Sequence, residues 1–385
     1  MPVRSASPGR IAVVTTSYPS RAGDASGHFV AAGVRELVAL GHEVVVLAAG
    51  AAHPATGPDA PGGADVRWCG GAALFGWPGA AERARAAPWR LGALAPFALG
   101  FVRAARALGP LERVVAHWLV PGGWPLGTWL AERTGAPLEL WAHGSDVRLL
   151  VALPARVRHA LVATLVARAE RICFAAHTTR TSLCQALPHG LAATLAARSE
   201  VRAPSLALAV RDADGARRAW RELGAGPAEL RVVVAARLIA GKRPEMAVRA
   251  LAAAGEGHFL LVLGDGPERA ACEQLARTLG VRARFAGRIE RSRALGLIAT
   301  ADVLVHPAAI DAAPSAVREA RAYGVPVIAA PAGDVPRWAE TDPGITLAGD
   351  AVELAALLQR VPRRRAPEPT AQKANAEALR VVLPR

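Results

Sequence analysis

Two pairs of charged residues stand at spacings that suit chemistry. Asp311 and Glu319 lie eight positions apart, on either side of Pro314, Ser315 and Ala316. A helix is expected there: Pro314 suits the first helical position, residues 316–323 suit the interior, and Gly324 stops it. The first N–H groups of such a helix, those of Ser315 and Ala316, lack intrahelical partners and sit at the positive end of its dipole. Phosphate binds at such places. An anion seat between two acids suits a ligand that carries both a phosphate and hydroxyl groups. The same residues also fit an ordinary helix start with a solvated Asp and Glu. The second pair, Arg237 and Lys242, follows the apolar run 231–236 on one loop. Arg can grip two phosphate oxygens at once, while Lys acts as a point charge.

The elements that must position these residues follow from the hydrophobic pattern. Residues 301–305 and 325–330 read as strands flanking the helix, which makes a parallel βαβ unit. The rhythm recurs, with strands expected at 11–16, 43–48, 66–68, 113–117, 138–142, 171–175, 231–236, 258–263, 282–286 and 345–347. Helices are expected between them, among others at 125–133, 154–170, 179–187 and 352–359. Alternation of this kind gives an α/β fold with doubly wound parallel sheets. The first loop holds Gly23 and Gly27 but no GxGxxG, which argues against a nicotinamide or flavin dehydrogenase. The strand 138–142 runs into His143-Gly144-Ser145-Asp146, at the carboxyl end where open α/β sheets bind ligands. That turn also fits a plain helix cap, with Ser145 or Asp146 as the capping residue. Gly264-Asp265-Gly266-Pro267 is a tight turn signal after the strand 258–263.

Asp311, seven residues, Glu319, then Ala320, Tyr323-Gly324 and Pro326-Val327-Ile328-Ala329 resemble the acid-x7-acid signature of family-four retaining glycosyltransferases. The Arg237-Leu238 to Lys242 loop, the His143 turn and the Gly264 turn resemble further motifs of that family, so the likeness runs over most of the chain. One departure is Asp311-Ala312, where the family usually has Glu-Gly. The resemblance implies the GT-B fold, two Rossmann-like domains facing across a cleft. Residues 1–205 would form the acceptor domain and 206–360 the nucleotide-sugar donor domain. A linker is expected near 204–214. Residues 361–385 would be a basic linker and a short helix that could return to the first domain.

The resemblance also implies roles. Arg237 and Lys242 would hold the donor diphosphate with the amides of Ser315 and Ala316, and Glu319 would take the ribose hydroxyls. Asp311 would bind donor sugar hydroxyls or steady an oxocarbenium-like transition state, and His143 would lie over the sugar ring. Gly264, Asp265, Arg288 and Ile289 would edge the nucleotide pocket, and the loop at Gly27 would approach the donor phosphates or the acceptor. The implied activity is retaining transfer from a UDP- or GDP-sugar to a hydroxyl acceptor such as a lipid-linked or polysaccharide precursor. No metal or cofactor would be required. A different class of reading is a degenerate GT-B protein that binds a nucleotide or a partner and transfers nothing.

Composition bounds these readings. The 385 residues, 52% hydrophobic, leave room for two domains. Lys and Arg number 46 against 32 Asp and Glu, a net charge of +14. Such an excess favours acidic partners: nucleotide-sugar phosphates, an anionic membrane surface, or nucleic acid. Nucleic acid is the weakest of these, since there is no basic run with interleaved aromatics. Residues 77–108 mix Arg with Trp, Phe and Leu. They fit either a basic amphipathic helix on an anionic membrane or a core helix with an exposed arginine face. Four scattered cysteines with no CxxC argue against zinc and against a disulfide framework. There is no signal-type apolar run and no stretch of ~18 apolar residues. The expected location is cytoplasmic, with peripheral attachment to the inner membrane face as an option.

Overall fold

The computed structural model describes residues 9–21, 23–51, 63–208 and 212–363. Its contacts divide the chain into two units, Met1–Ala207 and Leu208–Arg385.

The first unit is built on seven strands: β1 (Arg10–Thr15), β2 (Glu43–Ala48), β3 (Asp65–Trp68), β4 (Arg113–His117), β5 (Leu138–Ala142), β6 (Arg171–Phe174) and β7 (Ser199–Val201). They pair in parallel in the order β3-β2-β1-β4-β5-β6-β7. The apolar runs follow from burial on both faces. Ala12 and Val14 of β1 join Val45 and Leu47 of β2 in one core, with Phe97, Phe101 and Leu130 from helices. The intervening Ile11, Val13, Val44 and Val46 enter the opposite core with Val30 and Val34. Side chains alternate across the sheet with period two, and helices cover each face.

The second unit repeats the plan with six strands: β8 (Leu230–Ala235), β9 (His258–Leu263), β10 (Ala283–Gly287), β11 (Val303–His306), β12 (Val327–Ala329) and β13 (Ile345–Leu347). Their order is β10-β9-β8-β11-β12-β13, all parallel. Val232 and Val234 face a core with Met246, Leu251 and Leu354. Val233 faces one with Trp220, Leu297 and Val317. In each sheet the strand order reverses beside the unit's first strand, between β1 and β4 and between β8 and β11. The carboxyl ends of those strands flank the crevice where doubly wound sheets bind ligands.

Several elements depart from the sequence reading. The helix Ala213–Glu222 begins inside the expected linker. Asp212 caps it by accepting a hydrogen bond from the Gly215 N–H at 2.8 Å. Among its Arg and Glu residues, Trp220 supplies the main buried anchor and donates to Thr300 Oγ1 at 3.1 Å. Polar composition hid this helix, while β7 and the helix His189–Ala197 carried too little pattern to be read. The helix expected at 125–133 is Thr128–Thr134, because Val120 and Trp124 hold the preceding segment in non-helical backbone. Residues 77–108 form the helix Ala80–Ala86, a 3-10 turn Pro88–Ala93 and the helix Leu94–Arg106. Pro88 separates the first two, since it has no N–H and cannot continue the helix before it. The helix expected at 372–379 and most of the basic stretch before it lie outside the described residues.

Candidate active site

In the second unit the loops at the carboxyl ends of β8, β9, β10 and β11 are joined through their main chains. After β8, the Leu238 N–H donates to Asp265 O at 2.9 Å, and the Glu268 N–H donates to Leu238 O at 3.0 Å. Glycine permits this approach. A Cβ on Gly264 would lie 1.8 Å from Ala236 O, and one on Gly266 would lie 2.2 Å from Leu238 O. Both residues have positive φ, where side chains are strained. The Gly264 N–H donates to Gly287 O at 2.9 Å, which ties in the turn that carries Arg288 and Ile289. On the other side, the Ala309 and Ile310 N–H groups both donate to Gly241 O, at 3.1 and 3.0 Å. The Arg237–Lys242 loop is therefore pinned to the loop that carries Asp311.

Charge completes that link. Lys242 Nζ donates to Asp311 Oδ2 at 2.5 Å and to Ile310 O at 3.1 Å. His306, buried at the end of β11, places Nε2 3.3 Å from the same carboxylate oxygen, an ion-pair distance without hydrogen-bond alignment. Burial raises the Asp311 carboxyl, but His306 and Lys242 outweigh it and hold the group well below the usual carboxylate range. The Ala312 N–H donates to Asp311 Oδ1 at 3.0 Å. Four residues on, the helix Ser315–Ala322 begins at Pro314 without a side-chain cap, so its leading N–H groups face outward from the helix.

Glu319 lies deeper, on the buried side of that helix. Its Oε1 accepts from Arg291 Nη2 at 2.7 Å, and its side chain is 4% exposed. Arg318 beside it is buried too. Desolvation lowers its guanidinium to about 10, with Glu319 acting in the opposite direction.

In the first unit the corresponding strand ends gather imidazole and indole rings. His117 ends β4 and His143 follows β5. Their rings stack at 5.2 Å, with His117 Nδ1 2.9 Å from His143 Nε2. Phe29 and Trp118 pack against His143 at 4.8 and 4.9 Å. Burial depresses both histidines, His117 to about 3 and His143 well below its ordinary value, the latter also through His117. Both rings are neutral at pH 7, so one donates N–H to the other's bare nitrogen. Asp146 is buried and does not cap its own helix. Its Oδ1 accepts from the His143 and Gly144 N–H groups at 3.1 and 2.9 Å, and its Oδ2 accepts from Leu119 N–H at 2.7 Å. It thus fastens the His143 turn to the loop after β4. Gly27 caps the helix His28–Ala39 in left-handed geometry, and a Cβ there would lie 2.1 Å from Ser17 O.

Residues 219–361, nearly all of the described second unit, match the family model described as glycosyl transferases group 1. The second unit is a group 1 glycosyltransferase domain. A GDP-mannose-dependent monoacylated alpha-(1-6)-phosphatidylinositol monomannoside mannosyltransferase of Corynebacterium glutamicum is 31% identical over 130 residues. That match spans 31% of this chain and 34% of the relative, about a third of its length. Among solved structures, the Anabaena HepE protein in complex with UDP and glucose is similar at 17% identity and a TM-score of 0.64. It matches over 97% of this chain and 95% of that one. Sucrose-phosphate synthase of Thermosynechococcus elongatus is similar at 19% identity and a TM-score of 0.69, over 97% and 94%. The fold is GT-B, two Rossmann-like parallel-sheet domains.

Within the glycosyltransferase domain, the loops of Arg237, Lys242, Gly264, Asp265, Arg288, Ile289 and Asp311 come together at the strand ends, with Ser315 and Ala316 following. Arg288 is exposed there and Ile289 half-buried. Glu319 follows on the same helix, buried and bonded to Arg291. His143 and Gly27 belong to the first unit, at the ends of β5 and β1. Three residues at these sites were not singled out from the sequence: His306, Arg291 and His117. The histidines are lone polar residues at strand ends, and Arg291 opens a helix among Glu290, Ser292 and Arg293. Only position, the last residue of an apolar run for both histidines, could have marked them.

Proposed function

We propose that the chain transfers a sugar from a nucleotide diphosphate sugar to an acceptor hydroxyl, retaining the anomeric configuration. The observation that carries this reading is the Lys242–Asp311 contact, which fixes a cation and an acid together at the strand-order reversal, beside an uncapped helix start. Arg237 and Lys242 stabilise the charge that develops on the departing diphosphate, with the amides of Ser315 and Ala316 on its far side. These groups supply the positive charge without a metal or cofactor. Asp311 binds donor sugar hydroxyls or steadies an oxocarbenium-like transition state. Glu319 takes the ribose hydroxyls, with Arg291 steadying its carboxylate. The departing phosphate takes the acceptor proton. The donor is a UDP- or GDP-sugar, and the acceptor is a lipid-linked or polysaccharide precursor presented at a membrane surface.

The test is donor turnover by the purified full-length protein, preceded by thermal-shift measurements with UDP, GDP and dTDP. One nucleotide raises the melting temperature by mass action. Arg237→Ala and Lys242→Ala lower turnover by roughly 10²-fold or more, the scale of losing one charge-stabilising group. Turnover at the parental rate in Arg237→Ala rejects the reading. Nucleotide binding with no transfer or donor hydrolysis in the parent favours the degenerate alternative.

A further inference from the structure

The segment between β3 and β4 exposes large apolar side chains in a cluster. Trp89, Leu91, Leu94 and Leu99 are 73%, 50%, 40% and 70% exposed. They are four of the twelve large hydrophobics exposed among the described residues, and they fall within eleven positions. The others are scattered, and scattered exposed hydrophobics are ordinary. A cluster marks a contact surface.

The local fold explains the cluster. The helix Leu94–Arg106 anchors itself through Phe97, Phe101 and Ala105, spaced four apart on one side. At 100° per residue, Leu99, Arg103 and Arg106 fall on the opposite side, and all three are exposed, whereas Leu94, at the helix start, is exposed on the Phe97 side. The 3-10 turn Pro88–Ala93 runs directly into this helix and buries no residue. It displays Trp89 and Leu91, with the Arg90 guanidinium 5.5 Å from the Trp89 ring. Residues 80–107 hold Arg83, Arg85, Arg90, Arg103 and Arg106 against the single acid Glu82.

We infer that this face docks the protein on an anionic lipid bilayer. The pattern matches the three needs of such a surface: a Trp at headgroup depth, leucines for the acyl boundary, and arginines for lipid phosphates. Charge selects this occupant over a second copy of the chain, because two such faces would bring Arg90, Arg103 and Arg106 of each copy together with Glu82, already paired with Arg85, as the segment's one acid. The attachment is interfacial: among the described residues no helix is long and apolar enough to cross a membrane. It extends the proposed function by placing the first unit where a lipid-linked acceptor resides, yet it stands on this surface alone and is read without any transfer assay.

The experiment is co-sedimentation of the full-length protein with vesicles of phosphatidylcholine, with and without phosphatidylglycerol, at low and high salt. Binding is expected only with phosphatidylglycerol, and it weakens with salt. Arg103→Glu/Arg106→Glu and, separately, Trp89→Ser/Leu99→Ser reduce it by about tenfold or more. Arg156→Glu/Arg249→Glu, an equal charge change at exposed sites elsewhere, leaves it within about twofold. Thermal shift by nucleotide reports that each variant is folded, and it fails independently if the donor reading is wrong. Equal binding to neutral vesicles, an equal loss in the control pair, full binding by both patch variants, or a concentration-dependent dimer broken by the patch variants would each overturn the inference.

Discussion

Asp311 keeps its charge in a largely buried position because Lys242 and His306 hold it there. Replacing Lys242 with Met removes one of the two. The Asp311 carboxyl then moves up toward its ordinary range of about 4, a change that carboxyl NMR titration reads directly. The stability consequence has a definite sign. A carboxylate depressed in the fold contributes stability that is present above about pH 4 and lost as pH falls through the folded value. Parent and Lys242→Met therefore differ most at neutral pH and converge in acid. The histidine pair behaves in the same sense over a higher pH window. His117 is buried neutral, so its contribution is full above about pH 6.5 and declines as pH falls toward the folded value of about 3. His117→Phe should reduce the acid-side slope of first-unit stability by about 1.4 kcal/mol per pH unit, followed by chemical denaturation. At Glu319, a Gln substitution separates two roles. Donor binding raises KM at little cost in Tm, whereas a purely structural partner of Arg291 lowers Tm and leaves KM alone. At this scale spacing singled out Arg237, Lys242, His143 and Asp311 as candidates, each tied to a loop or helix start. His306, Arg291 and His117 reach them through tertiary packing, which no spacing records.

At the scale of elements, the glycines at the strand ends set how closely loops approach. Gly264→Ala puts a methyl against the Ala236 carbonyl and strains a positive φ. It should lower the melting temperature of the second unit and weaken nucleotide binding several-fold in the thermal-shift assay. Gly190→Ala, with nothing within 4 Å, serves as the neutral control. The strands were legible because parallel strands buried on both faces become unbroken apolar runs, as in residues 43–48 and 258–263. The helix Ala213–Glu222 was not, because charged residues fill half of its positions and its narrow apolar side is small alanines beside Trp220, seated against Thr300. The irregular backbone at 119–127 was illegible for a related reason. Its shape answers to Asp146, a residue distant in sequence that binds the Leu119 N–H.

At the scale of the whole molecule, each unit carries its own sheet and its own pair of cores. Two ligands should therefore leave two separate marks in hydrogen exchange. A nucleotide slows exchange at residues 236–243, 264–268 and 311–317 and in the strands behind them. Anionic vesicles slow it at residues 85–106 and leave the second unit unchanged. The two-domain α/β plan was readable from the alternation of runs, and the family likeness of the second half from its motifs. The first half is recognised by fold across distant structures, and its loops follow no pattern that one chain can reveal. Apart from the Lys242–Asp311 contact, main-chain bonds frame the rim of the second unit, and this has a practical meaning for anyone who wishes to retune it. An exposed position such as Ile310, which bonds to Gly241 through its main chain, can be randomised in a mutant library with the scaffold intact, provided Gly264 and Gly266 are left as they are.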